Sequence, residues 1–154
     1  MLEQVYTFGY SAQLVGIYTN ANKNAQQKQL PTVLLLNSGL LHRPGPFRLH
    51  IYLARKLAES GFPVFRFDIS GIGDSEKHLD RRPREEQILS DIKEAMDVLA
   101  LRNGAQQFVT MGLCTGADNA HKISVQDERV IGAVFLDGYC YPTFGFYLRQ
   151  YGVK

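Results

Sequence analysis

The chain has 154 residues, 45% of them hydrophobic and 21% charged, with a formal net charge of +2. That length suits a single domain over residues 1–154, and that composition excludes a chain that is mainly disordered. The charge lacks the strongly basic signature of a nucleic-acid binder, and no apolar run reaches the ~20 residues that span a bilayer.

The N-terminus carries no basic region followed by an apolar stretch, so no signal peptide is read there. Two cysteines are too few for a disulfide scaffold or a four-ligand zinc site. The expectation is a cytoplasmic protein with no metal and no organic cofactor.

Residues 5–8 and 13–19 read as two short strands around the turn Gly9-Tyr10-Ser11, a candidate hairpin. Residues 20–29 are rich in Asn, Gln and Lys and read as a loop. Residues 32–36 form a short apolar run, consistent with a buried strand, and a loop with Gly and Pro follows to Pro46. Over residues 49–60, Leu49, Leu53 and Leu57 recur at helical spacing, and Gly61 stands where a helix stops. Residues 63–67 are the next strand, and residues 68–80 read as a loop. Pro83, Glu85 and Glu86 mark a helix start, with Pro83 at the first helical position. Ile88, Ile92, Ala95 and Leu99 then line one face as far as Gly104. Residues 107–111 form a strand, a short helix runs to about Val125, and residues 130–136 form a last strand. Alternating strands and helices predict an α/β fold, three layers (αβα) around a mostly parallel sheet, with chemistry on loops at the strand C-termini.

The sharpest motif is G-L-C-T-G at residues 112–116, between a strand and a helix. It is the nucleophile-elbow pattern G-x-S-x-G with Cys114 in place of serine. A strand that turns at once into a helix presents the nucleophile above the sheet. Small residues two before and two after, Gly112 and Gly116, avoid clashes with neighbouring elements. The helix N-terminus favours negative charge there. A buried structural cysteine at a tight turn is the plainer alternative.

The loop at residues 37–43 is the second feature. Beside an elbow, such a loop supplies one N–H of an oxyanion hole, here from Gly39 or Leu40, and Thr115 supplies the other. His42 and Arg43 are candidates to hold a substrate carboxylate or phosphate. The third feature, residues 68–75, invites a dinucleotide reading. It fails, because Glu76 stands where a third glycine is required. Its role is read as structural.

Four segments carry a resemblance: residues 37–46 (NSGLLHRPGP), 66–75 (RFDISGIGDS), 111–118 (MGLCTGAD) and 136–143 (LDGYCYPT). The chain resembles the α/β-hydrolase superfamily in its serine-aminopeptidase-like branch, and more narrowly the hydrolases associated with bacterial exosortase systems. The resemblance implies a central sheet with Cys114 at the tip of the nucleophile strand. It also implies acyl chemistry on an ester, thioester or amide of a small molecule. The family's order is nucleophile, acid, then a late histidine. Here the likeness is truncated after the sixth strand, and no histidine follows His121. Asp137 is a candidate acid or a loop-capping carboxylate. His42 is the one local candidate for a base. His121 is expected to point away along its helix, and His50 and His78 read as surface residues.

An unpaired sixth strand is an apolar edge. The tail beyond it holds Tyr139, Tyr141, Phe144, Phe146, Tyr147 and Tyr151, a density of aromatics that marks an interface. A homodimer or a complementing chain is expected there, unless these side chains fold back over the exposed face. Three functional readings follow: a thiol-based hydrolase or acyltransferase, a hydrolase-like binding module without catalysis, and a fragment of a longer protein.

Overall fold

A computed structural model describes residues 2–10, 13–22 and 30–138. Six strands form one sheet: β1 (Glu3–Phe8), β2 (Leu14–Thr19), β3 (Thr32–Leu36), β4 (Val64–Asp68), β5 (Phe108–Leu113) and β6 (Val130–Leu136). Three helices connect them: α1 (Leu49–Glu59), α2 (Arg84–Asn103) and α3 (Thr115–Gln126). The strand order is β1-β2-β4-β3-β5-β6. The first two strands form the expected antiparallel hairpin, and β2 runs antiparallel to β4. The pairs β3–β4, β3–β5 and β5–β6 are parallel.

The two faces of β3 separate two cores. Leu34 and Leu36 join Phe65, Phe67 and Phe108 against α2 and α3. Val33 and Leu35 join Val64 and α1 on the other face. Every residue of β3 and β4 is buried, as strands covered on both sides should be. Rings of Tyr6, Phe8, Phe65 and Phe67 pack with centroids 5.6–5.9 Å apart. Gly16 in β2 leaves room for them, because a Cβ there would lie 2.3 Å from the Phe65 ring.

On α1 the innermost line is His50, Ala54 and Ala58, not the expected Leu49, Leu53 and Leu57. Small alanines let the helix sit close on the sheet, and Leu53 and Leu57 flank the contact. Pro83 caps α2 from outside rather than occupying its first position. The expected apolar face of α2 is present, with Ile92, Ala95 and Leu99 fully buried. Strand β6 pairs with β5 alone among the described residues, and Ile131, Val134 and Phe135 are exposed on it. The aromatic tail from Tyr139 lies outside the described residues.

Two histidines expected at the surface are buried. The His78 side chain is sealed with Nε2 2.7 Å from Asp91 Oδ1, and Asp91 also accepts the Ser70 N–H at 2.8 Å. His50 is 3% exposed, beneath Gly45 and near Arg66. Burial, together with the positive charge of Arg66, holds the His50 imidazole below its ordinary value of 6.5. The unfolded chain therefore binds this proton more readily than the folded one. The stability contributed by neutral His50 is complete above about pH 6.5 and falls as pH drops toward the lowered folded value. Urea unfolding at pH 7.5 and 5.5 should show a larger loss for the wild type than for His50→Leu. Equal losses would rule the histidine out as the cause.

Candidate active site

The topology sets the place. Strands β3 and β5 are neighbours, yet the helices that follow them, α1 and α3, pack on opposite faces of the sheet. Their connections diverge at the C-terminal edge and leave a crevice, the usual ligand position in an open α/β sheet.

At this crevice one residue separates β5 from α3. Cys114 takes φ 55° and ψ −123°, a conformation that costs a non-glycine residue about 1–3 kcal/mol. The surroundings enforce it. The Cys114 N–H donates to Leu136 O at 2.9 Å, and its carbonyl accepts from the Ala117 N–H at 2.8 Å. A Cβ on Gly112 would lie 2.1 Å from the Gly116 carbonyl, and one on Gly116 would lie 2.7 Å from Asn37 O. The glycines serve as the sequence suggests. Cys114 is half-buried and carries a free thiol.

The loop after β3 faces the elbow. Gly39 has φ +56° and Leu40 is 87% exposed. The Gly39 N–H donates to Thr115 Oγ1 at 2.7 Å. The base of this loop is tied down by a polar network. Asn37 Nδ2 donates to Leu41 O at 2.9 Å, and Asn37 Oδ1 accepts the Ile69 N–H at 3.0 Å. Asp68 is fully buried, accepts the Arg43 N–H at 2.5 Å and pairs with the Arg43 guanidinium. The other arm of Arg43 reaches Asp74 Oδ2 at 2.6 Å. Burial pushes the guanidinium's pKa down, but hydrogen bonds with Asp74 and Asp68 outweigh it and leave the value raised. Arg43 is thus committed to holding the loop and is not a free anion receptor.

A cleft of about 400 Å³ opens beside Thr115, with Gly39, Leu40, Ile69, Ile72 and Ile88 among its walls. Thr115 begins α3, so its N–H has no intrahelical partner. The structure therefore brings together Cys114, Thr115 and the Gly39-Leu40 loop.

The candidate base and acid are less engaged. His42 is exposed, and its imidazole makes no hydrogen bond or ion pair among the described residues. Asp137 follows β6 at φ 49° and is exposed, and its carboxylate makes no described hydrogen bond. Its neighbour Gly138 packs against α3, where a Cβ would lie 3.0 Å from Ala117 Cβ. His121 lies along α3 with its ring 5.8 Å from that of Phe135 on β6. The sequence reading missed the His78–Asp91 pair and the Arg43–Asp68–Asp74 network. Their signal is only a scatter of charges over two loops, the end of β4 and one position of α2, and pairing between separate elements has no periodicity. Among the described residues no group of three or more His, Cys, Asp or Glu is placed to hold a metal, and no helix is long and apolar enough to cross a membrane.

Comparison with known proteins fits this architecture. Residues 48–143 match the family described as serine aminopeptidase, S33. An esterase from Pyrococcus furiosus is 16% identical with a TM-score of 0.74, covering 91% of this chain and 52% of its own. The α/β hydrolase GrgF from Penicillium is 18% identical with a TM-score of 0.71, covering 89% and 45%. The mouse α/β hydrolase domain-containing protein 10 is 17% identical with a TM-score of 0.66, covering 97% and 54%. At such identities the likeness concerns the fold, and this chain spans about half the length of each. No curated protein sequence matches significantly.

Proposed function

The chain belongs to the serine aminopeptidase (S33) family of α/β hydrolases, and from that premise we propose that it performs acyl transfer or hydrolysis with Cys114 as nucleophile. The substrate class is a small ester, thioester or amide, and the expected setting is the cytoplasm. The observation that carries the reading is the backbone of Cys114, held at φ 55° between β5 and α3 by two glycines that no larger residue can replace without collision. Strain of this kind persists where a side chain must be presented. The Thr115 N–H and a loop N–H from Gly39 or Leu40 are the oxyanion donors. A thiolate is nucleophilic without a strong base, which suits an activated acyl donor. His42 is the candidate base and Asp137 the candidate acid.

The test is intact-protein mass spectrometry after incubation with activated esters and acyl thioesters, beside Cys114→Ala, with peptide mapping. An acyl adduct on Cys114, absent from the variant, is the expected result. Adducts equal in both proteins would refute the nucleophile.

A second reading, a hydrolase-like binding module, is favoured by the histidines. His42 makes no side-chain bond, His50 is buried with its Nδ1 unpartnered, and the sealed His78 side chain is paired with Asp91. Loss of the base leaves only the slow catalysis of an oxyanion hole and binding. An adduct that forms and never hydrolyses would support it.

Partner association through β6 belongs to the same proposal, either with a second copy or with a complementing chain. Its support is the exposed apolar side chains on both faces of a strand with one described neighbour, Ile131 and Phe135 on one face and Val134 on the other. Val134→Lys should shift the mass seen by light scattering toward the monomer, and an unchanged mass would count against this edge.

A further inference from the structure

Whichever acyl donor is used, the reaction passes through an oxyanion, and the structure bears on what would hold it. The Gly39 N–H, one of the two candidate loop donors, is already spent on Thr115 Oγ1 at 2.7 Å. A hydroxyl accepts on its oxygen and still has one hydrogen to give. Among the described residues, that hydrogen has no recorded acceptor. Thr115 is exposed, follows Cys114 directly, and lines the cleft together with Gly39 and Leu40. The Leu40 N–H carries no described hydrogen bond either.

We propose that the Thr115 hydroxyl is itself an oxyanion donor, with the Gly39 N–H acting behind it. The inference rests on the reading of Cys114 as an acyl-accepting nucleophile. Donation from Gly39 into the hydroxyl oxygen polarises its O–H bond, and hydrogen bonds in such a chain strengthen one another. One residue then offers two donors, its N–H and its O–H, and the Leu40 N–H supplies a third. Side-chain hydroxyls act in this way when they are aimed in advance at the developing charge.

The step balances without a co-reactant. Cys114 loses its thiol proton to solvent. The thiolate sulfur attacks the acyl carbon of a p-nitrophenyl ester, the C–S bond forms, and the carbonyl π pair moves onto oxygen. Thr115 and Leu40 hold that oxygen. The pair then returns, the C–O bond to the leaving group breaks, and p-nitrophenolate departs with its electrons.

The opposing role is a latch, in which the hydroxyl only ties the loop to the elbow. The two roles differ in sign. Removing a latch frees the Gly39 N–H for the substrate oxygen, so acylation holds or quickens. Removing a donor slows it.

The experiment measures the rate at which p-nitrophenyl acetate acylates the full chain, for wild type, Thr115→Val and Thr115→Ser. It is followed on the tryptic peptide that ends at Lys122 and carries Cys114. Alkylation by iodoacetamide runs in parallel, because it displaces iodide and builds no oxyanion. Thr115→Val should acylate about a hundredfold more slowly, and Thr115→Ser should stay within a few-fold of wild type. Alkylation should be nearly equal in all three. Thr115→Ala repeats the test if the valine variant does not fold. Acylation of Thr115→Val at or above the wild-type rate overturns the proposal. So does a parallel fall in alkylation, which would mean a displaced thiol. A wild-type chain that alkylates but never acylates overturns the Cys114 reading itself, and this inference with it.

Discussion

Replacing Gly112 with alanine is expected to cost about 3 kcal/mol or more, enough to unfold a marginally stable domain. The added Cβ would lie 2.1 Å from the Gly116 carbonyl carbon and oxygen and 2.6 Å from the Ala117 nitrogen. These are backbone atoms of the first turn of α3, and no rotamer change moves them. The helix has no room to retreat, because Gly116 is itself pressed against Asn37 O and Leu36 O at the end of β3. Strand, helix and second strand are stacked at backbone contact, so relief requires parting β5 from α3. Gly104→Ala is the matched comparison. Gly104 has φ +68° with nothing within 4 Å of a Cβ, so it loses only backbone preference, about 1 kcal/mol. Urea denaturation of both variants decides the matter. A Gly112→Ala midpoint no lower than that of Gly104→Ala would show that the elbow is not sterically closed.

Asp68→Ala should lose about 3–5 kcal/mol, the cost of removing one partner from a buried ion pair. Asp68 is fully buried and accepts from the Arg43 N–H and guanidinium, from Asn37 Nδ2 at 3.4 Å and from the Asp74 N–H at 3.3 Å. Without it, Arg43, with 19% of its side chain exposed, keeps only Asp74, which is 66% exposed. The loop that faces Cys114 then loses its anchor while the elbow remains. Asp68→Asn retains one acceptor oxygen and should fall between the variant and wild type. Chymotryptic cutting after Leu40 or Leu41 should quicken in Asp68→Ala in step with the stability loss. Stability within about 1 kcal/mol of wild type would mean that the loop is held by something else.

The fold was legible because its signals are local. The apolar run at residues 32–36, the helical spacing at Ile88, Ile92, Ala95 and Leu99, and the glycine stops each report one element through its own period. The elbow was legible for the same reason, since five consecutive residues contain the whole turn. What the sequence hid is long-range pairing. His78 and Asp91 are separated by a loop and a helix start, and nothing in their spacing says that they meet. His50 falls on the buried side of α1 because two alanines bring that side closest to the sheet, whereas a hydropathy pattern gives the line to the leucines. Arg43 reads as a free cation until Asp68, at the end of a different strand, is placed beneath it. The Gly39–Thr115 contact is hidden likewise, because it joins the ends of two parallel strands.

Every hydrogen bond described for Cys114 is made by its main chain, and the contacts that bend that main chain belong to glycines. The scaffold holds this side chain without reading it. Position 114 is therefore a socket defined by its frame and not by its occupant. An exchange between sulfur and oxygen there is expected to leave the architecture indifferent.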